Sequence, residues 1–121
     1  NATSRLTPKY KELIAQGDYI PKPDKLFSAF KTLAKGDVKY ILFGQDPYPR
    51  EQSAIGYAFI DGAVSDIFSP TGLSTSVNKA TSLRNFLKML LVASAHLDEN
   101  HTSQSDIARV DKADMISTID T

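Results

Sequence analysis

Residues 38–49 read VKYILFGQDPYP, an apolar run that ends at Gly44 and passes directly into an amide, a carboxylate, a phenol and two prolines. The run 38–43 is rich in β-branched and aromatic side chains and lies between Gly36 and Gly44. Near-continuous apolarity of this kind predicts a buried parallel strand, which needs apolar side chains on both faces. In open α/β sheets ligands bind in the crevice beyond the carboxyl ends of strands, and residues 44–49 fall there. Gly44 allows close backbone approach or a positive φ. Pro47 and Pro49 fix two φ angles and restrain Asp46 and Tyr48 before them. The result is a stiff loop that holds Gln45, Asp46 and Tyr48 in fixed relation, as a preorganised site requires.

Residues 8–16 carry Tyr10, Leu13 and Ile14 at helical spacing and stop at Gly17. From Asp24, the residues Leu26, Phe27, Phe30 and Leu33 follow at steps that predict a second amphipathic helix, ending near Gly36-Asp37. Residues 55–60 (IGYAFI) predict a second strand, closed by the turn pair Asp61-Gly62. Residues 62–80 show no sustained period and read as loop with room for one helical turn. Thr81 is placed to cap a helix whose stripe is Leu83, Phe86, Leu87, Leu90 and Leu91. After a polar break over 96–102, Ser103 and Asp106 resemble a capping box. They open a last helix with Ile107, Val110, Ile116 and Ile119. Helices alternating with strands predict an α/β fold with a mostly parallel sheet. Two strands are too few for such a sheet, so either more exist or part of it lies beyond residue 121. The opening Asn1-Ala2 reads as a tag remnant or an internal start, and the end at Ile119-Asp120-Thr121 as an artificial boundary inside a helix.

The 121 residues fit one domain. Apolar residues make up 41% and charged residues 23%, the balance of a soluble globular protein. Fourteen basic residues offset fourteen acidic ones, so total charge neither points to nucleic acid nor argues against a local basic face. The absence of cysteine removes disulfides, thiolate nucleophiles and thiolate metal sites together. No apolar run approaches the length that spans a bilayer, and no leader pattern opens the chain, so a cytoplasmic protein is expected. His96 and His101 are five apart and do not share a helix face, unlike the four-residue spacing of zinc-binding helices. No metal is expected. The patterns Asn1-Ala2-Thr3 and Asn100-His101-Thr102 match a glycosylation site, but nothing suggests secretion and both read as chance.

Gly44, Gln45, Asp46, Pro47 and Tyr48 resemble the water-activating motif of the family-1 uracil-DNA glycosylases. The flanks resemble that family as well. Residues 27–30 (FSAF) and 37–39 (DVK) are similar to its approach to the motif, and 56–59 (GYAF) to the segment bearing its uracil-stacking phenylalanine. Residues 82–85 (SLRN), followed by Lys88, are similar to its serine-leucine loop and the helix after it. The similarity runs from about residue 19 to about residue 91, in order and at fitting spacing. It implies a three-layer α/β/α domain with a mostly parallel central sheet, incomplete here, and a monomeric enzyme that acts on uracil-containing DNA without metal or cofactor. In a bacterium it would be associated with the nucleoid.

By that resemblance the enzyme flips the nucleotide out and cleaves the N-glycosidic bond through an oxocarbenium-like sugar. Asp46 would supply the fixed negative charge and hold the attacking water. Phe59 would stack on the base, and Tyr48 would sit against C5, where thymine carries its methyl. Gln45 would serve through its backbone N–H to a uracil carbonyl, and Ser82 would contact a DNA phosphate. Alone, Asp46 before a proline reads as a turn opener, Phe59 as core, Ser82 as a helix cap and Arg84 as a solvated helix residue. The ordered matches favour the functional roles for Asp46, Phe59 and Tyr48.

The chain also departs from the family's pattern. Pro49 stands where the family has histidine, and Lys79-Ala80-Thr81 replaces its proline-rich lead into the serine loop. Its uracil-reading asparagine and its His-Pro-Ser-type loop are not found, and both are expected downstream of this chain. Two other readings therefore stand beside the repair hydrolase. One is a truncated, non-catalytic module of the same fold that binds nucleic acid or protein. The other is a related glycosylase with altered base preference.

Overall fold

Thirteen residues of one helix, Thr81–Ala93, organise the best-packed part of the molecule. The computed structural model describes residues 2–119 of the chain, which divides into two units, Asn1–Gly62 and Ala63–Thr121. The pattern at Asn1 and the continuation of the last helix through Asp120 and Thr121 lie outside the described residues.

In the second unit a two-residue hairpin pairs β1 (Phe68–Ser69) antiparallel with β2 (Gly72–Leu73). It leads into α3 (Thr75–Lys79) and then α4 (Thr81–Ala93). Residues 62–80 are expected to be loop with room for one helical turn, which the five-residue α3 fits and the hairpin does not. The hairpin forms because Gly72 takes φ +118, which closes the turn after Pro70. Ser74 caps α3 by accepting from the Val77 N–H at 3.1 Å. Thr81 does not cap α4. It is the first helical residue, and the cap position is Ala80, whose side chain makes no bond. Leu83, Leu87 and Leu91 recur every four residues along α4 and are buried, so the predicted stripe is the packed face.

At the end of α4, Ala95 adopts a left-handed φ of 58°, and the amides of His96 and Leu97 both return to the Leu91 carbonyl. This fold-back tucks Leu97 into the core. The capping box at Ser103 and Asp106 is present. The helix it opens, however, is only α5 (Gln104–Ile107), and a separate α6 spans Lys112–Ile119. Asp111 separates them, because its carboxylate accepts from the Ala113 and Asp114 N–H groups and starts a new helix. Ile107 and Met115 complete a core with Leu73, Val77, Leu83, Leu87 and Leu91. The Asp106 carboxyl is held below its ordinary value first by the Ser103 hydroxyl and then by the Ser103 N–H. Asp98 is lowered first by the Asn100 N–H and then by His101.

The first unit is built differently. Helix α1 (Pro8–Gln16) matches its expected bounds, with Pro8 at the start and Gly17 at φ 68 as its stop. None of its residues is buried. The expected second helix is reduced to α2 (Ala29–Thr32) and a 3-10 turn at Lys35–Asp37. Leu33 at its end takes an extended φ of −126°, which breaks the helical path before the pattern ends.

Residues 38–43 form no strand, and none of their backbone groups is hydrogen-bonded among the described residues. Tyr40 is 93% exposed and Phe43 83%. A parallel strand exists only as part of a ladder, and no described strand lies beside this run. Residues 55–60 also form no strand. Gly56 at φ +85 and Phe59 at φ 63 turn the segment back on itself, closed by an antiparallel bridge between Ala54 and Asp61. Among the described residues the sole sheet is therefore the β1–β2 hairpin, in place of the expected parallel one.

Leu91 is 0% exposed at the centre of the core. Leu91→Ala should lower the unfolding free energy by about 2–5 kcal/mol, the cost of lost burial plus cavity. A urea titration followed by circular dichroism checks this. A loss below about 1 kcal/mol would mean the core is not packed as described.

Candidate active site

The candidate site residues of the first unit lie on two loops, 44–49 and 54–61. Gly44 does not adopt a positive φ. Its backbone instead runs beside Ala58, where an added Cβ would stand 3.6 Å from the Ala58 Cβ, an ordinary contact. The Tyr48 hydroxyl donates to the Phe59 carbonyl at 3.3 Å. These two contacts bring the carboxylate-bearing loop against the segment that carries Phe59. Asp46 is exposed at a bend, with its acid group outside packed hydrocarbon. Gln45 is also exposed, whereas Tyr48 and Phe59 are half-buried.

Phe59 has a left-handed backbone, which is rare for an aromatic residue and costs roughly 1–3 kcal/mol. A surrounding frame has to hold it, and several contacts supply one. Gly56 comes so close to the 25–28 turn that an added Cβ would lie 2.0 Å from the Lys25 carbonyl oxygen. The hydroxyls of Tyr57 and Thr32 share a 2.6 Å hydrogen bond. Gly62 packs under Ile55, where a Cβ would meet Ile55 Cγ2 at 2.3 Å, and its N–H donates to the Ser53 carbonyl. Arg50 reaches Asp61 at 3.7 Å, and Asp61 is only 4% exposed.

None of these framing residues stands out in the sequence. Asp61-Gly62 reads there as a plain turn. The signal that could have found them is the glycine pair Gly56 and Gly62 bracketing a short aromatic segment.

Ser82 lies in the second unit, exposed in the first turn of α4. Arg84 is not solvated. It is half-buried and donates from Nη1 to the Asn78 carbonyl at 2.8 Å, fastening α4 to the end of α3. The two histidines make separate pairs, His96 with Asp114 and His101 with Asp98. No group of three or more His, Asp or Glu able to hold a metal occurs among the described residues. No helix among them is long and apolar enough to cross a membrane.

Gly56→Ala places a methyl into the Lys25 carbonyl at a φ that L-residues avoid, so the 54–61 loop should be displaced. The expected outcome is loss of the Tyr57 and Phe59 ring signals from their native positions in a proton NMR spectrum, with the core leucine methyls of the second unit unmoved. An unchanged Phe59 spectrum would show that this close approach does not hold the loop.

No family model matches the chain. Among curated proteins it is 35% identical over 79 residues to the uracil-DNA glycosylase of Streptococcus sanguinis, covering 65% of this chain and 31% of that protein. It is 50% identical over 40 residues to the uracil-DNA glycosylase of Mycoplasma genitalium, covering 33% of this chain and 16% of the relative. The crystal structure of wild-type UNG from Nitratifractor salsuginis matches at 62% identity and a TM-score of 0.76, over 88% of this chain and 43% of that one. A tyrosine-to-glycine mutant of the same UNG matches at 60% identity and a TM-score of 0.79, over 92% and 46%. The chain thus spans less than half the length of these proteins. Over nearly the whole of its own length the chain is thus similar to solved UNG structures, which have a glycosylase-like α/β fold, and over shorter stretches to curated uracil-DNA glycosylases.

Proposed function

We propose that the natural gene product carrying this sequence removes uracil from DNA by hydrolysing its N-glycosidic bond, with Asp46 as the catalytic carboxylate. The observation that carries this reading is the contact of the motif loop with the segment bearing Phe59, through Gly44 against Ala58 and Tyr48 to the Phe59 carbonyl. In this reading the uracil ring stacks on Phe59, while Tyr48 walls off the position of a thymine methyl. The tie to the Phe59 carbonyl and the neighbouring prolines oppose retreat of that wall, so overpacking by one methyl costs at least about 1–3 kcal/mol. The Gln45 N–H donates to a uracil carbonyl. Ser82 and the first amides of α4 receive a DNA phosphate.

The bond between C1′ of the sugar and N1 of uracil breaks first, its electron pair leaving with the base as an anion. Water then bonds to C1′ and releases a proton to Asp46 or to solvent. This path calls for a fixed charge and a held water, and needs neither metal nor cofactor. A carboxylate about 4 Å from the developing cation is worth roughly 4 kcal/mol at an effective dielectric near 20. That is about a thousandfold in rate.

Residues 1–121 are, in this reading, one piece of a single glycosylase domain. The exposed run 38–43 becomes a strand of a parallel three-layer sheet once neighbouring strands lie beside it. Its apolar side chains and unpaired backbone support that role. The enzyme is a monomer acting on uracil-containing DNA in the cytoplasm.

Asp46→Asn in the natural gene product keeps the shape and removes the charge, so uracil release from an oligonucleotide should fall about a thousandfold at saturating substrate. Unchanged release would refute the role of Asp46. The 121-residue chain alone should release little or no uracil, because the run leading into Asp46 has no ladder to hold it in place. Robust release from that chain in the same assay would overturn this expectation.

A further inference from the structure

We infer that Arg50 and Asp61 form a positioning pair that sets the Phe59 ring against the Tyr48 wall. This rests on the glycosylase reading for its consequence in catalysis but not for its geometry. Asp61 is a carboxylate in a turn, a place where solvent would ordinarily take it, yet it is 4% exposed. Burying a charge costs several kcal/mol unless a counter-charge meets it. Arg50 Nη2 lies 3.7 Å from Asp61 Oδ2, with the arginine side chain 61% exposed, so the pair sits at the edge of the loop with one member inside and one outside.

Arg50 is fixed at its own end. Its carbonyl accepts from the N–H groups of both Ser53 and Ala54 at 3.0 Å. Asp61 is fixed at the other end, by the bridge to Ala54 and by the Gly62 N–H on the Ser53 carbonyl. Ser53 itself is fully buried. The ion pair therefore closes a small frame made of the 50–54 turn and the 61–62 return.

The frame and the site share a register. Tyr48 bonds to Phe59 eleven residues on, and Arg50 pairs with Asp61 at the same offset. The second contact lies two residues beyond the first on both segments, so a shift of Asp61 is transmitted directly to Phe59. Phe59 has left-handed backbone geometry and does not return to its place by local preference. Loss of the pair therefore releases the stacking ring while Asp46, on the other loop, keeps its own position. The expected signature is weaker capture of the base with little change in the bond-breaking step.

The test is a double-mutant cycle in the natural gene product, assayed on a uracil-containing single-stranded oligonucleotide. Asp61→Asn and Arg50→Gln should each raise KM about tenfold with kcat within about twofold. The double variant should be no worse than either single one, and Arg50→Lys should recover part of the loss. Glu51→Gln, which breaks the adjacent exposed pair with Lys22, should leave KM unchanged. A fall in kcat at constant KM would mark a merely structural role and overturn the proposal. So would additive losses in the double variant.

A second measurement does not depend on activity. In the 121-residue chain, Arg50→Gln should weaken the nuclear Overhauser contacts between the Tyr48 ring and the backbone at Phe59 and speed exchange of the Gly62 amide. If both stay as in the parent chain, the pair positions nothing. A wild-type gene product that releases no uracil would defeat the glycosylase reading, while these two signals would still decide the pair's role.

Discussion

The reach of the Tyr48 hydroxyl to the Phe59 carbonyl is the contact on which the site turns, because it joins two loops that otherwise have independent reasons for their shapes. The 44–49 loop is stiff through its own prolines. The 54–61 loop is stiff through two left-handed residues, a buried carboxylate and two glycines at close approaches. Asp46 lies on the first loop and Phe59 on the second, so neither loop alone presents that pair. One hydrogen bond contributes only about 1 kcal/mol net, so its importance is geometric: it registers two preorganised pieces. The proposed glycosylase chemistry depends on such registration, since it asks Asp46, Phe59 and Tyr48 to meet one nucleotide together.

The two units solve the problem of stability in opposite ways. Residues 63–121 have an apolar core, a stripe of leucines on α4 against Ile107 and Met115, with caps at Ser74 and Ser103. Residues 1–62 keep their large apolar side chains outside, Phe27, Phe30, Leu33 and the run 38–43 among them, and bury mainly small or polar groups such as Ser53, Ala54 and Asp61. An apolar exposure of that extent is unusual for a self-sufficient unit. It fits a segment that spans less than half of its solved relatives.

Much of the second unit was legible because its determinants are local. The leucine spacing on α4 and the Ser103–Asp106 box act within a turn or two, so pattern and outcome agree. The hairpin at Gly72 and the break at Asp111 were missed, since each hangs on one residue's φ or one carboxylate's choice of amides. In the first unit, residues 38–43 and 55–60 both have strand composition and neither forms a strand. For the former no described neighbour supplies a ladder. For the latter, Gly56 and Phe59 turn the chain before a strand can extend.

The resemblance to the uracil-DNA glycosylases and the candidate side chains Asp46, Gln45, Tyr48, Phe59 and Ser82 were legible along the chain without any coordinates. Motif residues keep their order and chemistry along the chain whether or not they are folded. What holds Phe59 emerges from the fold alone: the Tyr48 tie, the Gly56 approach to Lys25 and the Arg50–Asp61 pair. Those are contacts between residues distant along the chain, and whether they form depends on where the backbone brings them rather than on what any one residue prefers.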